Sequence, residues 1–203
     1  LIAKLNAVAV VETVAVKLTL LGAFLVITQG RAITNMPDSY KWFGQGSVAG
    51  IPTLPLALVA VFVFVYILWN KTPYGRSLYA VGGNEDAARV AGINVDKIKI
   101  QAYLIEGALL GLASTLMASR LKSASPNLGV GYELDAIAGC IIGGVSFTGG
   151  IGKVFDMVLG ALIIGVINNG MDLLGVEAFY KQVVKGSIIV VAVLIDRKRS
   201  GRS

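Results

Sequence analysis

The chain has 203 residues, 55% of them hydrophobic and only 15% charged, with a mean hydropathy of +0.74. Soluble domains carry about a quarter charged residues, so this composition excludes an ordinary soluble enzyme or binding module. Histidine is absent, which removes imidazole metal sites and histidine catalysis, and the net charge of +6 gathers beside apolar runs, the membrane pattern and not a nucleic-acid stripe.

Six apolar segments follow one another along the chain. The sequence opens Leu-Ile-Ala, with neither Met nor a signal sequence, and reads as a fragment. Residues 5–29 hold Glu12 and Lys17, five apart and so on different helix faces. Ionisable groups at that depth are expected to face protein or water, with a packed or interfacial helix as the alternative. Residues 30–49 are polar, with Pro37, Tyr40 and Trp42, and read as an external loop with an interfacial anchor. The second segment, 51–69, has Pro52 and Pro55 in its first turn and ends on Trp69.

Residues 71–99 form the one long polar, basic stretch, with Lys71, Arg76, Arg89, Lys97 and Lys99 close to the flanking apolar runs. Short loops rich in Lys and Arg stay in the cytoplasm. The third segment, 100–118, places Glu106 on a face with Tyr103 and Leu110. Residues 120–131 are a turn region. The fourth segment, 134–145, is too short for a straight span and reads as a short or re-entrant helix, with Cys140 a small core residue. A tight glycine-rich connection at 146–153 leads to the fifth segment, 154–174, where Gly160 and Gly165 suit close helix packing. Asn168, Asn169 and Asp172 add polarity to its outer half, either for interhelical hydrogen bonds or as the lining of a solute path. The sixth segment, 183–195, precedes a tail containing Arg197, Lys198, Arg199 and Arg202. The parity of spans puts 71–99 and 197–203 in the cytoplasm and 30–49, 120–131 and 175–181 outside. The expected fold is a single all-α integral membrane domain over 1–203, with about six transmembrane or re-entrant helices and a short cytoplasmic helix.

Gly149-Gly150-x-Gly152-Lys153 does not make a phosphate loop, because Val154 follows the lysine where Ser or Thr is required. Glu133 and Asp135 diverge on a helix, and no nucleophile–base pair is present. The sequence therefore offers no catalytic residue, no metal ligand set and no cofactor site. From Asn84 to Ile93 it shows a short capped helix: Asn84 as N-cap, Glu85 and Asp86 in the first turn, Gly92 as the stop. A plain linker needs only a few residues, so an ordered helix here suggests a docking surface.

The runs GRSLYAVGGNEDAARVAGINVDKIKI, SRLKSASPNLGVGYELDAIAGCIIGGVSFTGGIGKV and GALIIGVINNGMDLLGVEAFYKQVVKGSIIVVAVLIDRKR resemble the permease subunit of bacterial ABC importers for monosaccharides. This is the branched-chain-type group that includes the ribose, xylose, arabinose and methylgalactoside transporters, and the resemblance runs from about residue 50 to the end. It implies a multi-pass inner-membrane permease with a cytoplasmic C-terminus, lacking the family's N-terminal helices. It also implies a coupling helix that docks on the ATP-binding subunit through Asn84, Glu85, Asp86, Ala87, Ala88, Arg89, Ala91 and Gly92. In that reading Ala87, Ala88 and Ala91 permit close approach, while Glu85, Asp86 and Arg89 make charged rim contacts. The implied partners are an ATP-binding cassette subunit that hydrolyses ATP, a periplasmic sugar-binding protein, a second permease copy and membrane lipid, with no nucleic acid. An ion-coupled secondary transporter, using carboxylates among Glu106, Asp135, Asp156 and Asp172, and a truncated inactive remnant are the alternatives.

Overall fold

The computed structural model describes residues 9–34, 36–146 and 149–200. In chain order its elements are α1 (Ala9–Thr28), α2 (Asp38–Gln45), β1 (Ser47–Val48), β2 (Ile51–Pro52), α3 (Thr53–Lys71), α4 (Pro73–Gly83) and α5 (Glu85–Val90). These are followed by α6 (Val95–Leu121), α7 (Tyr132–Ile142), α8 (Val154–Leu173) and α9 (Ala178–Ser200). Helix dominates because hydrocarbon offers backbone groups no partners, so each must be satisfied within its own segment. Among the described residues, α1, α3, α6 and α8 are long and apolar enough to cross a membrane. At 1.5 Å per residue their 19 to 27 residues span about 28–40 Å, against a hydrocarbon layer of about 30 Å. None of the apolar stretch of α1 or α6 is buried, and Val26, Ile27 and Val166 are more than 70% exposed. Such continuous apolar surface is tolerable only when covered by lipid or by other protein.

The chain divides into two compact units. The first holds α1, α2, the two-stranded hairpin, the start of α3, and α6. Its anchor is Ser119, fully buried near the end of α6. The Ser119 hydroxyl donates to the Tyr40 carbonyl at 2.7 Å and accepts from the Gly44 amide at 2.7 Å. Tyr40 also donates to the Thr115 carbonyl, and Gln45 to the Arg120 carbonyl. A Cβ on Gly44 would lie 2.8 Å from the Ser119 carbonyl carbon, so only glycine lets α2 sit this close to α6. α2 and the hairpin were not expected in a stretch read as loop. Tyr40 serves this packing, while Trp42 stays half exposed, as does Phe43. Pro52 belongs to β2, leaving Pro55 as the proline in the first turn of α3.

The second unit holds the end of α3, α4, α5, α7, α8 and α9. Its centre is α7, whose 11 residues cover about 16 Å. It packs on both α8 and α9 and buries Ala138, Gly139 and Ile141. Glycine makes the α7–α8 contact possible: a Cβ on Gly139 would lie 3.2 Å from the Ala161 backbone, and one on Gly160 2.8 Å from the Gly143 amide. Gly165, by contrast, faces open space. α9 begins at Ala178, earlier than the apolar run at 183–195 indicated, and so takes up part of the 175–181 segment expected to face outward. Lys181, in this added turn, pairs with Asp172 of α8.

Gly160→Val should lower thermal stability by about 1–3 kcal/mol or more through overpacking, while Gly165→Val, with nothing within 4 Å, stays near wild type. Melting of both variants in detergent checks this. Equal melting temperatures would mean the α7–α8 contact is not tight.

Candidate functional site

Asn84 opens α5 as its N-cap, its Oδ1 accepting from the Ala87 amide at 2.9 Å. Glu85 and Asp86 fill the first turn and Arg89 the last, each favourable to the helix dipole. Gly92 sits at φ +82°, the left-handed stop anticipated from the sequence. Glu85, Asp86, Ala87, Arg89, Ala91 and Gly92 are exposed. Ala88 is only 4% exposed and turns into the chain itself, so close approach to a partner passes to Ala87 and Ala91. Val90, which lay outside the anticipated set, is 90% exposed. Its signal was a branched apolar side chain opposite Ala88 on a short helix.

α5 stands on α4, a helix hidden in the sequence by Gly75, Gly82 and Gly83. The visible sign was Thr72-Pro73: Thr72 Oγ1 accepts from the Gly75 amide and proline occupies the first turn. Tyr74 sets its ring edge-on to Trp69 at 6.3 Å, and burial pushes its phenol pKa up. The C-terminal end of α4 meets the glycine-rich turn before α8 backbone to backbone. A Cβ on Gly82 would lie 2.8 Å from the Gly150 amide, one on Gly149 2.6 Å from the Gly82 carbonyl, and one on Gly150 2.6 Å from the Gly83 Cα. Tyr79 fastens this seam by donating to the Gly152 carbonyl at 2.8 Å.

A polar cluster lies at the other end of α8. Asp135 of α7 pairs with Lys185 of α9 at 2.8 Å, and the same carboxylate oxygen, Oδ2, accepts from Asn168 of α8 at 3.3 Å. Oδ1 is buried without a hydrogen-bond partner among the described residues, an arrangement that costs roughly 1–3 kcal/mol. Asp172 pairs with Lys181. Of the three residues proposed from sequence for a solute path, Asn168 and Asp172 join these charged partners, and Asn169 lies on the exposed side of α8. Asp135 was given a role only as a carboxylate of the ion-coupled alternative, and Lys181 and Lys185 were missed, because all three sit on other segments and no sequence spacing relates them to α8. In the first unit, Glu12 and Glu106 line an open groove of about 670 Å³ between α1 and α6, in which the remaining lining is apolar apart from Thr13 and Tyr103.

The sequence profile of the family described as "Branched-chain amino acid transport system / permease component" matches residues 1–193. The chain belongs to this permease family. The match covers α1 as well, extending the resemblance seen from about residue 50 back through Glu12 and Lys17. With its apolar helices, the permease is a multi-pass membrane protein. It is 46% identical over 192 residues to the ribose import permease protein RbsC of Bacillus subtilis, covering 94% of this chain and 60% of that relative. It is 42% identical over 203 residues to the ribose import permease protein RbsC of Escherichia coli K12, covering 98% and 63%. It is 39% identical over 196 residues to the L-arabinose transport system permease protein AraH of the same strain, covering 97% and 60%. The permease thus spans about three-fifths of the length of these curated relatives. No solved structure matches it significantly.

Gly150→Ala should cost the permease about 1–3 kcal/mol of stability through a forced backbone contact, added to strain at φ +71°. Gly83→Ala, whose Cβ would meet nothing within 4 Å, is the control and stays near wild type. Thermal unfolding of both reads the difference, and an unchanged Gly150→Ala would disprove the tight seam.

Proposed function

We propose that this chain is the membrane-spanning permease subunit of an ATP-binding cassette importer that carries a monosaccharide across the bacterial inner membrane. The ribose and arabinose transport for which its relatives are named supports the substrate class. The observation that carries the reading is α5: a capped helix exposing Glu85, Asp86, Ala87, Arg89 and Val90 within the basic 71–99 stretch, apart from the apolar helices. Exposed Val90 beside small Ala87 and Ala91 forms an apolar strip with a charged rim, suited to a groove on a separate ATP-binding subunit. ATP is hydrolysed there and not by this chain. Closure of that subunit moves α5 as a rigid piece and switches the solute path between its two faces. A periplasmic sugar-binding protein delivers solute to the opposite side, and a second copy of the permease completes the pathway.

The basic residues from Lys71 to Lys99 and the Arg197–Arg199 stretch orient 71–99 and the C-terminal tail toward the cytoplasm; residues 201–203 of that tail lie outside the described residues. The polar residues of α8, Asn168, Asn169 and Asp172, contribute to the solute path. An ion-coupled mechanism is disfavoured at Asp135 and Asp172, because each carboxylate is already compensated by a lysine.

Ala87→Trp and Val90→Asp should each reduce co-purification of the ATP-binding subunit by at least about tenfold, equivalent to about 1.4 kcal/mol, without lowering the permease level in the membrane. Cysteine placed at Asp86 in a Cys140→Ala background should react with an impermeant reagent only from the cytoplasmic side. Full co-purification with stimulated ATPase activity in both variants would reduce 71–99 to a linker, and labelling from outside intact cells would invert the topology.

A further inference from the structure

The geometry points to the Asp135–Asn168–Lys185 cluster, with the Asp172–Lys181 pair beside it, as a transient binding site for an uncharged polyhydroxylated solute. This rests on the importer reading and assigns the solute-contact residues within it. Three observations carry it.

The first is register. Asp172 follows Asn168 by four residues on α8, and Lys181 precedes Lys185 by four on α9, so both steps stay on one helix face. The two polar rungs are therefore offset by about 6 Å along the helices, at 1.5 Å per residue. One small polyol can reach both.

The second is charge. Asp135 and Asp172 are matched by Lys181 and Lys185, so the four side chains sum to zero. Such a column does not trap an ion of either sign. It instead presents ammonium donors, carboxylate acceptors and an amide that is both. A sugar hydroxyl, itself donor and acceptor, can exchange with each of these contacts singly, so its lost hydration is replaced step by step.

The third is the unused acceptor. A pair kept only to pin α7 to α9 gains most when both carboxylate oxygens are bonded. Here Lys185 and Asn168 converge on Oδ2, and Oδ1 is buried with no partner among the described residues. Lys185 and Lys181 keep 24% and 23% of their side chains exposed, so neither lysine is sealed off from a solute. When Lys185 turns from the carboxylate to a solute hydroxyl, a second hydroxyl can donate to the vacated carboxylate, which can also turn to bring Oδ1 into use. The exchange leaves no charge without a partner.

The test uses two double variants introduced at the native locus, with labelled D-ribose uptake and the amount of permease in the membrane as readouts. Asp135→Asn with Lys185→Gln removes both charges at nearly constant size. Asp135→Lys with Lys185→Asp keeps an ion pair between α7 and α9 but exchanges donor and acceptor. Both should remain in the membrane within about twofold of wild type while ribose uptake falls at least about tenfold. Wild-type uptake by either assembled variant overturns the site and leaves the pair a packing device. Loss of both variants from the membrane overturns it too, because the pair is then required for assembly. If the unmodified permease with its ATP-binding subunit imports none of ribose, arabinose or galactose, the importer reading fails and the solute site falls with it.

Discussion

Hydrocarbon cannot hydrogen-bond, and every other feature of this chain follows from that. Backbone groups close on themselves in helices, and the few polar side chains in apolar segments seek one another. α7 shows the consequence at its clearest. Too short to cross a bilayer, it is tolerated because α8 and α9 flank it and glycine lets α8 approach to backbone distance. Lys181 and Lys185 show it again. Either would be expensive unpaired in an apolar helix, yet both are carried in α9 by carboxylates from neighbouring helices.

The same constraint would separate the two proposed functional regions. α5 is short, capped and charged in its first and last turns, a helix suited to water, where charge is cheap. It can therefore expose Val90 and a charged rim without destabilising the fold. The polar cluster joins helices α7, α8 and α9, and its two carboxylates are balanced by two lysines, leaving no net charge. The proposed docking surface and the proposed solute site would obey opposite rules, because the importer reading places them in different solvents. Between them run α4, the glycine turn and α8, all within one compact unit.

Much of this was legible in the sequence where one segment answers alone. The apolar run 154–174 became α8 almost to the residue, and Asn84 and Gly92 became the cap and the stop of α5. Legibility failed where the answer lay on another segment. Glycines at 75, 82 and 83 read as loop, yet α4 is a helix whose glycines make room for Trp69 and Gly150. α2 was hidden for the same reason, since its partner Ser119 is 75 residues from Gly44. The sixth segment was read as starting at 183, although its helix begins at Ala178 and takes in Lys181, whose partner Asp172 lies on α8. Ala88 looked like its neighbouring alanines until burial showed that it faces the other way.

The seam between Gly82–Gly83 and Gly149–Gly150 has a mechanical character of its own. Contacts between side chains are compliant, since a rotamer can yield before the backbone moves. Backbone against backbone has no such slack, and its repulsion rises steeply over a fraction of an ångström. A push delivered through α4 therefore passes to the turn before α8 with little lost to side-chain rearrangement. A pull has much less to hold it: chiefly the Tyr79 hydrogen bond to Gly152, worth about 0.5–1.5 kcal/mol. The joint is stiff in compression and weak in tension, so it acts as a one-way strut.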